Sequence, residues 1–306
     1  MIRSMYSGIS GLKNFQTKLD VIGNNISNVN TYGFKKGRTV FKDLISQTTS
    51  GASGASANQG GVNPKQVGLG SQLASIDTIH TGGSLQSTGN TLDLALSGDG
   101  FFIVGESSAK PAPGTNVTLD NLQYTRAGNF YMDANGYLVN GDGKYVYGFT
   151  ENSANTGATS TPVTGPPTYS VPTGGTLPTN GVGPIRIPTN AKSMSVSQDG
   201  TVTFVDANNN LQNAGKLVTA KFPNPGGLEK SGSNYYTPSS NSGTALYTFA
   251  SENGAGTINS GFLEMSNVDL SEEFTDMIVA QRGFQANTRI ITTSDSILEE
   301  LINLKR

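Results

Sequence analysis

Apolar side chains recur at alternating steps of three and four near both ends of the chain, and almost nowhere between. At the N-terminus the positions are Ile2, Met5, Ile9, Leu12, Phe15, Leu19, Ile22, Ile26 and Val29. That spacing lines one face of an α-helix and predicts a helix from about Ser4 to Val29. At 1.5 Å per residue it would extend roughly 35–40 Å. Lys13, Gln16, Lys18, Asn24 and Asn28 fall on the polar face. A stop near Asn30 or Thr31 is expected, since Gly33 supplies a permissive C-terminal residue. So narrow a stripe asks for a helical partner more than for a sheet.

At the other end Leu270, Phe274, Met277, Ile278, Phe284, Ile291, Leu298, Leu301 and Ile302 follow the spacing more loosely. A helix beginning near Asp269 or Ser271 is predicted. Ser271 would cap it, and Glu272 and Glu273 would sit at the positive end of its dipole. Lys305 and Arg306 complement the negative end, giving a helix of about 35 residues.

Between the stripes the pattern changes. Ser46–Asn63 is rich in Gly, Ser and Ala, the composition of a flexible arm. Short β-like runs follow at Gln72–His80, Leu92–Leu96, Phe101–Val104, Asn129–Met132, Tyr137–Val139 and Tyr145–Phe149. Others lie at Ser193–Val196, Val202–Val205, Lys216–Phe222 and Leu246–Phe249. Hairpin-type dipeptides accompany them: Asp99-Gly100, Asn135-Gly136, Asp142-Gly143 and Asp199-Gly200. A stretch near 152–183, poor in apolar residues, reads as a long loop. The predicted fold class is therefore α+β, with paired long terminal helices of coiled-coil type and a central, mainly antiparallel β body. Residues 1–72 and 259–306 would form a discontinuous terminal-helix domain carrying the arm at 46–63. Residues 73–258 would form a β-rich outer domain.

Composition agrees with a loop-rich β body: 35% of the 306 residues are hydrophobic and 14% charged, and there are 39 glycines. A net charge of −2 with scattered cations argues against nucleic acid as partner. The absence of cysteine excludes disulfides and thiolate chemistry. No run approaches the ~20 apolar residues of a membrane helix, and no apolar leader segment follows Met1.

Candidate chemistry is sparse. His80 is the sole histidine and reads as a packed core residue. Asp133-Ala134-Asn135-Gly136 starts like a calcium loop, but Lys144 stands where a bidentate Glu is needed. Gly98, Gly100 and Gly105 do not match dinucleotide spacing, and no Gly-Lys-Ser/Thr phosphate loop exists. The acids sit mostly in turns such as Asp99, Asp133 and Asp199, not as a cleft pair for glycoside hydrolysis. No catalytic residue, metal site or cofactor is expected.

One segment stands apart. Asp20-Val21-Ile22-Gly23-Asn24-Asn25-Ile26-Ser27-Asn28-Val29-Asn30 concentrates asparagine, a mediocre helix former, where the apolar stripe still runs. A packed interface with polar cross-links fits it. The segment resembles the N-terminal signature of the flagellar rod and hook proteins, whose helix ends in Asn-Asn-Leu/Ile-Ala-Asn; Ser27 replaces the usual Ala. Gly89-Asn90-Thr91-Leu92-Asp93-Leu94-Ala95-Leu96-Ser97-Gly98-Asp99-Gly100-Phe101-Phe102 resembles that family's entry to its β body. Ser266-Asn267-Val268-Asp269-Leu270, with Met277-Ile278-Val279-Ala280-Gln281-Arg282-Gly283-Phe284-Gln285-Ala286-Asn287, resembles its C-terminal signature.

Within the family, Leu301-Ile302-Asn303-Leu304-Lys305-Arg306 and the opening Met5–Leu12 resemble hook subunits of Gram-positive type. The Ser46–Asn63 segment resembles an insertion of distal rod subunits, the alternative reading, and of some hook subunits. The resemblance implies an extracytoplasmic homopolymer, a hollow helical tube carrying torque. It implies contacts with distal rod, hook-filament junction and hook cap proteins, and export through the flagellar type III apparatus without a cleaved leader. Neither nucleic acid nor membrane insertion enters this picture. The expected assembly interface comprises Met5, Ile9, Leu12, Phe15, Leu19, Ile22, Asn24, Asn25, Ile26, Asn28 and Val29 on the first helix. On the last helix it comprises Leu270, Phe274, Met277, Ile278, Gln281, Phe284, Asn287, Ile291, Leu298 and Leu301.

Overall fold

The computed structural model describes residues 2–55, 59–107, 119–150 and 182–304. In chain order these form helix α1 (Ile2–Ser27) and strands β1 (Gly37–Asp43), β2 (Ser46–Ser50), β3 (Lys65–Gly68) and β4 (Ser71–Thr78). Next come β5 (Leu85–Ser87), β6 (Leu94–Ser97), β7 (Phe101–Ser107), β8 (Leu119–Thr125), β9 (Phe130–Met132), β10 (Leu138–Asn140) and β11 (Tyr145–Thr150). Strands β12 (Val182–Pro184), β13 (Ser193–Val196), β14 (Thr201–Val205), β15 (Leu211–Lys221), β16 (Glu229–Gly232) and β17 (Tyr235–Thr237) follow. The chain closes with β18 (Leu246–Phe249), β19 (Thr257–Ser260), β20 (Phe262–Glu264) and helix α2 (Leu270–Asn303). The class is α+β, with a helix at each end of an antiparallel β body.

Two compact units emerge. The first gathers residues 1–29, 36–79 and 268–306; the second gathers 30–35 and 80–267.

In the helical unit, α1 and α2 run antiparallel. Gly8 lies against Ile291, Gly11 against Asn287 and Phe15 against Gly283. Small residues permit this approach: a Cβ on Gly283 would come within 2.6 Å of the Phe15 ring, and one on Gly11 within 2.9 Å of Asn287 Oδ1. The other flank of α1 meets the β1–β4 ladder, which pairs Gly37 with Thr78 and Asp43 with Ser71 across a bulge at Val40/Phe41. Phe15 and Phe41 face each other at 6.4 Å between ring centroids. Asn14 donates to Ser71 Oγ at 2.9 Å.

Helix α1 ends at Ser27, two residues before the apolar stripe does. Helix α2 is capped by Asp269, whose carboxylate accepts from the backbone N–H groups of Ser271 and Glu272. The expected cap, Ser271, instead lies inside the first turn. A carboxylate outcompetes a hydroxyl there because it also complements the helix dipole. Lys305 and Arg306 lie outside the described residues.

The segment 46–63, flexible by composition, contributes to an extended hairpin. Strand β2 pairs with β3 from Ser46↔Gly68 to Ser50↔Lys65, and Ser53 bridges Val62. Every residue of both strands is exposed. The ladder rests on backbone hydrogen bonds, so it leaves no apolar alternation to read.

In the β unit a twelve-stranded sheet, counted over the described residues, runs in the order β13-β14-β15-β11-β7-β8-β17-β16, with β9, β10, β12 and β18 as side pairings. The strands β7, β11 and β15 at its centre are buried on both faces. Phe102 and Val104 enter one core with Leu94, Phe130, Leu138, Val146 and Leu217. Phe101 and Ile103 enter a second with Tyr124, Tyr147, Phe149, Val218 and Phe249. Two buried faces explain why Phe101–Val104 is an unbroken apolar run without alternation. Of the loop expected near 152–183, residues 152–181 lie outside the described residues, while Val182 and Gly183 belong to β12.

Candidate assembly interface

The asparagine-rich end of α1 resolves into three different roles. Asn24 is exposed, and the half-buried Asn28 donates back to the Asn24 carbonyl at 2.9 Å. Asn25 is buried and uses its whole amide. Its Oδ1 accepts from the Gly37 N–H at 2.9 Å, and its Nδ2 donates to the Gly37 carbonyl at 2.9 Å. The same Nδ2 lies 3.2 Å from both carboxylate oxygens of Glu273. One side chain thus pins α1 to the start of β1 and to the first turn of α2. Only an amide presents a donor and an acceptor side by side in this way.

By sequence Glu273 is a dipole partner alone. In the structure it is buried, and burial raises its pKa, opposed by the Asn25 hydrogen bond and by Lys36. Around it, Lys36 pairs with Glu272 at 2.8 Å and Lys18 with Asp276 at 3.1 Å. Both pairs are partly exposed and contribute little to stability.

The buried side of α2 differs from its apolar stripe. Glu273, Ala280 and Ser294 are buried. Met277, Phe284, Asn287, Ile291 and Leu298 are half-buried in the same three-and-four rhythm. In contrast, Ile278 is 59% exposed, Phe274 50%, Leu301 48% and Leu270 39%. Gln281 is exposed as well. On α1, Ile22 is buried, while Met5, Leu12, Phe15, Leu19, Ile26 and Val29 are half-buried and Ile9 is 49% exposed. The helix pair therefore brings part of the expected interface together inside one chain. The rest, above all Leu270, Phe274 and Ile278 at successive turns of α2, is left as an exposed apolar edge.

The β unit holds a polar centre that sequence reasoning missed. Lys35, Arg126 and Glu264 are all buried. Lys35 Nζ donates to Glu264 Oε1 and, at 2.7 Å, to the Thr81 carbonyl. Arg126 Nη1 reaches Glu264 Oε2 at 3.3 Å and the Leu96 carbonyl at 3.1 Å; Nη2 donates to the Gly98 carbonyl at 2.7 Å. The Gly83 N–H completes the carboxylate at 3.0 Å. Burial lowers the Lys35 pKa, and Glu264 is the main influence opposing it.

Gly33 adopts φ +70°, and its N–H donates to the Glu264 carbonyl at 2.8 Å. A Cβ there would lie 2.6 Å from the Ala127 nitrogen, so glycine is required on both counts. The centre joins Gly33 to Lys35, just after the first sequence signature, Leu96 to Gly98 within the second, and Glu264, just ahead of the third. The sequence clue was a lysine closing a glycine-containing turn, but its partners lie far along the chain.

Comparison with known proteins follows these segments. The family described as "Flagella basal body rod protein" matches residues 5–35, "Flagellar hook protein FlgE/F/G D1 domain" matches 95–204, and "Flagellar basal body rod FlgEFG protein C-terminal" matches 259–304. The flagellar basal-body rod protein FlgG of Bacillus subtilis (strain 168) is 52% identical over all of this chain and all of its own. FlgG of Borreliella burgdorferi is 35% identical, again over both whole chains. The flagellar hook protein FlgE of Borreliella burgdorferi is 34% identical, and its alignment needs 454 positions to pass this chain of 306. The chain belongs to the flagellar rod and hook protein family, a component of the bacterial flagellar basal body and hook.

Proposed function

We propose that this chain is a distal rod subunit, polymerising through its terminal helices into the stiff driveshaft that carries torque from the motor toward the hook. The observation that supports rod over hook is the 52% identity to a rod protein of matching length. The hook relative aligns only around added sequence that this chain lacks. The exposed β2–β3 hairpin, at the position of the insertion that resembles distal rod subunits, favours the same choice. The hook reading rests on the resemblance of the terminal segments and on the lower, 34% identity to a hook protein.

In this reading the α1–α2 pair builds an inner layer of coiled-coil character, and the β unit faces outward. Leu270, Phe274, Ile278, Ile9 and Leu301 then become buried between subunits. Fully burying one large apolar side chain contributes about 1.5–3 kcal/mol; since these five are already about half covered, the remainder supplies about 4–7 kcal/mol toward ordering the polymer. Export through the flagellar type III apparatus would deliver the subunit to the growing tip.

Electron microscopy of basal bodies from a deletion strain tests the assignment. A rod truncated before its distal end, with no hook, is the expected result. A complete rod lacking only its hook would overturn it in favour of the hook reading.

A further inference from the structure

The β unit contains a pocket of about 210 Å³ lined by polar and apolar groups alike, with Arg126 of the ion-pair centre in its wall. Its walls include His80, Asp99, Arg126, Lys221 and the rings of Phe101 and Phe222. Arg126 is 2% exposed; its two terminal nitrogens are engaged as described, but Nε is buried without a hydrogen-bond partner. Both His80 nitrogens are shielded from solvent and make no well-formed hydrogen bond, and the Pro225 carbonyl is only a weak acceptor. The ring is held between Phe101 at 5.6 Å and Tyr236 at 5.4 Å, so it cannot swing out to water without losing both contacts.

Charge around the cavity is unbalanced. Arg126 and Lys221 line it, and the positive charges of Lys35 and Lys230 also act on His80. Against these four cations stand Asp99 in the wall and Glu264, which Lys35 and Arg126 already engage. Buried donors without acceptors, in a cavity with excess positive charge, define the chemistry of what would fit.

We propose that this cavity binds one small oxyanion, a phosphate or a carboxylate, through Arg126 Nε and His80, with Lys221 contributing attraction at the wall. The size suits it: 210 Å³ holds one such ion with a few waters but not a nucleotide. The anion is either a free ion or an acidic side chain supplied by another copy of the chain. The site is independent of the rod assignment.

Because His80 is the only histidine, a carbon-13 histidine label gives one imidazole signal from the intact chain. Burial and the neighbouring cations hold the His80 pKa down to about 4. Sodium phosphate titrated at constant ionic strength against sodium chloride should shift the signal saturably and raise the apparent pKa by about one unit or more. A parallel titration with acetate separates the sources. Saturation by phosphate alone indicates a free anion, and saturation by acetate as well indicates a site able to take a side-chain carboxylate. Lys221→Gln, at the wall, should weaken binding several-fold while leaving the fold intact. No saturation by either anion, a chloride control that matches them, or unchanged affinity in Lys221→Gln overturns the proposal.

Discussion

Replacing Glu264 with Gln should cost the β unit about 3–5 kcal/mol, the penalty for removing one partner of a buried ion pair. Glutamine has nearly the same volume, so packing does not confound the result. What is lost is the single carboxylate facing two buried cations. The substituted amide could still accept from Gly83 or from one cation, but not balance both. Lys35 would then be left with burial and Arg126 lowering its pKa and nothing comparable raising it. It would lose its proton or drag water inward, and the turn carrying Gly33 would loosen with it. Urea unfolding checks the size of the loss. Lys35→Met combined with Glu264→Gln should cost less than the sum of the two single changes, because the unbalanced ammonium is gone. Stability within about 1 kcal/mol of the parent for Glu264→Gln alone would show that the triad is not what holds the segments around Lys35, Arg126 and Glu264 together.

The second large effect is Asn25→Asp. The new carboxylate could still accept from the Gly37 N–H, but it would face the Gly37 carbonyl and both Glu273 oxygens where Nδ2 now donates. An expected loss of about 3–4 kcal/mol at pH 7 follows from two orphaned acceptors and a buried like-charge pair. The sign of its pH dependence is fixed. Two adjacent carboxylates raise each other's pKa, so the folded state binds more protons than the unfolded one, and stability recovers as pH falls. Glu273 is already raised in the parent by burial, which places it ready to take the shared proton. Thermal unfolding of the helical unit at pH 7 and near pH 5 should show the deficit shrinking at the lower pH. Asn24→Asp, one residue away and exposed, should stay within about 0.5 kcal/mol of the parent at both.

These two sites mark where the sequence was informative and where it was not. The helices were legible because a stripe of nine apolar residues survives any tertiary context. The strands at 193–196 and 246–249 were read to the residue, and the run Phe101–Val104 falls within strand β7. The β2–β3 hairpin was missed because Ser, Thr, Gln and Lys on an exposed ladder carry no period, and β1 because its two apolar residues, Val40 and Phe41, are adjacent and do not alternate. The Asn run was visible as unusual, but nothing in it distinguishes Asn25 from its neighbours until Gly37 and Glu273 are in place. The ion-pair centre was invisible for a similar reason: its three charges are scattered through the chain, and each alone reads as a surface residue. On α2 the face turned to α1 interleaves Glu273, Ala280, Asn287 and Ser294 with the half-buried Met277, Phe284, Ile291 and Leu298 of the apolar stripe, while Leu270, Phe274, Ile278 and Leu301 of the same stripe stay exposed.

That exposed edge carries the central claim, and Phe274 and Ile278 are its most exposed members within the first three turns of α2. The direct measurement is complementation of a deletion strain with the Phe274→Asp, Ile278→Asp double variant. Basal bodies are imaged by electron microscopy, and the purified chain is melted in parallel. The account predicts a melting temperature within about 2 °C of the parent, because neither side chain is buried in the chain itself. It also predicts basal bodies in which this subunit's segment is absent. Full-length structures and normal motility with the double variant would contradict it.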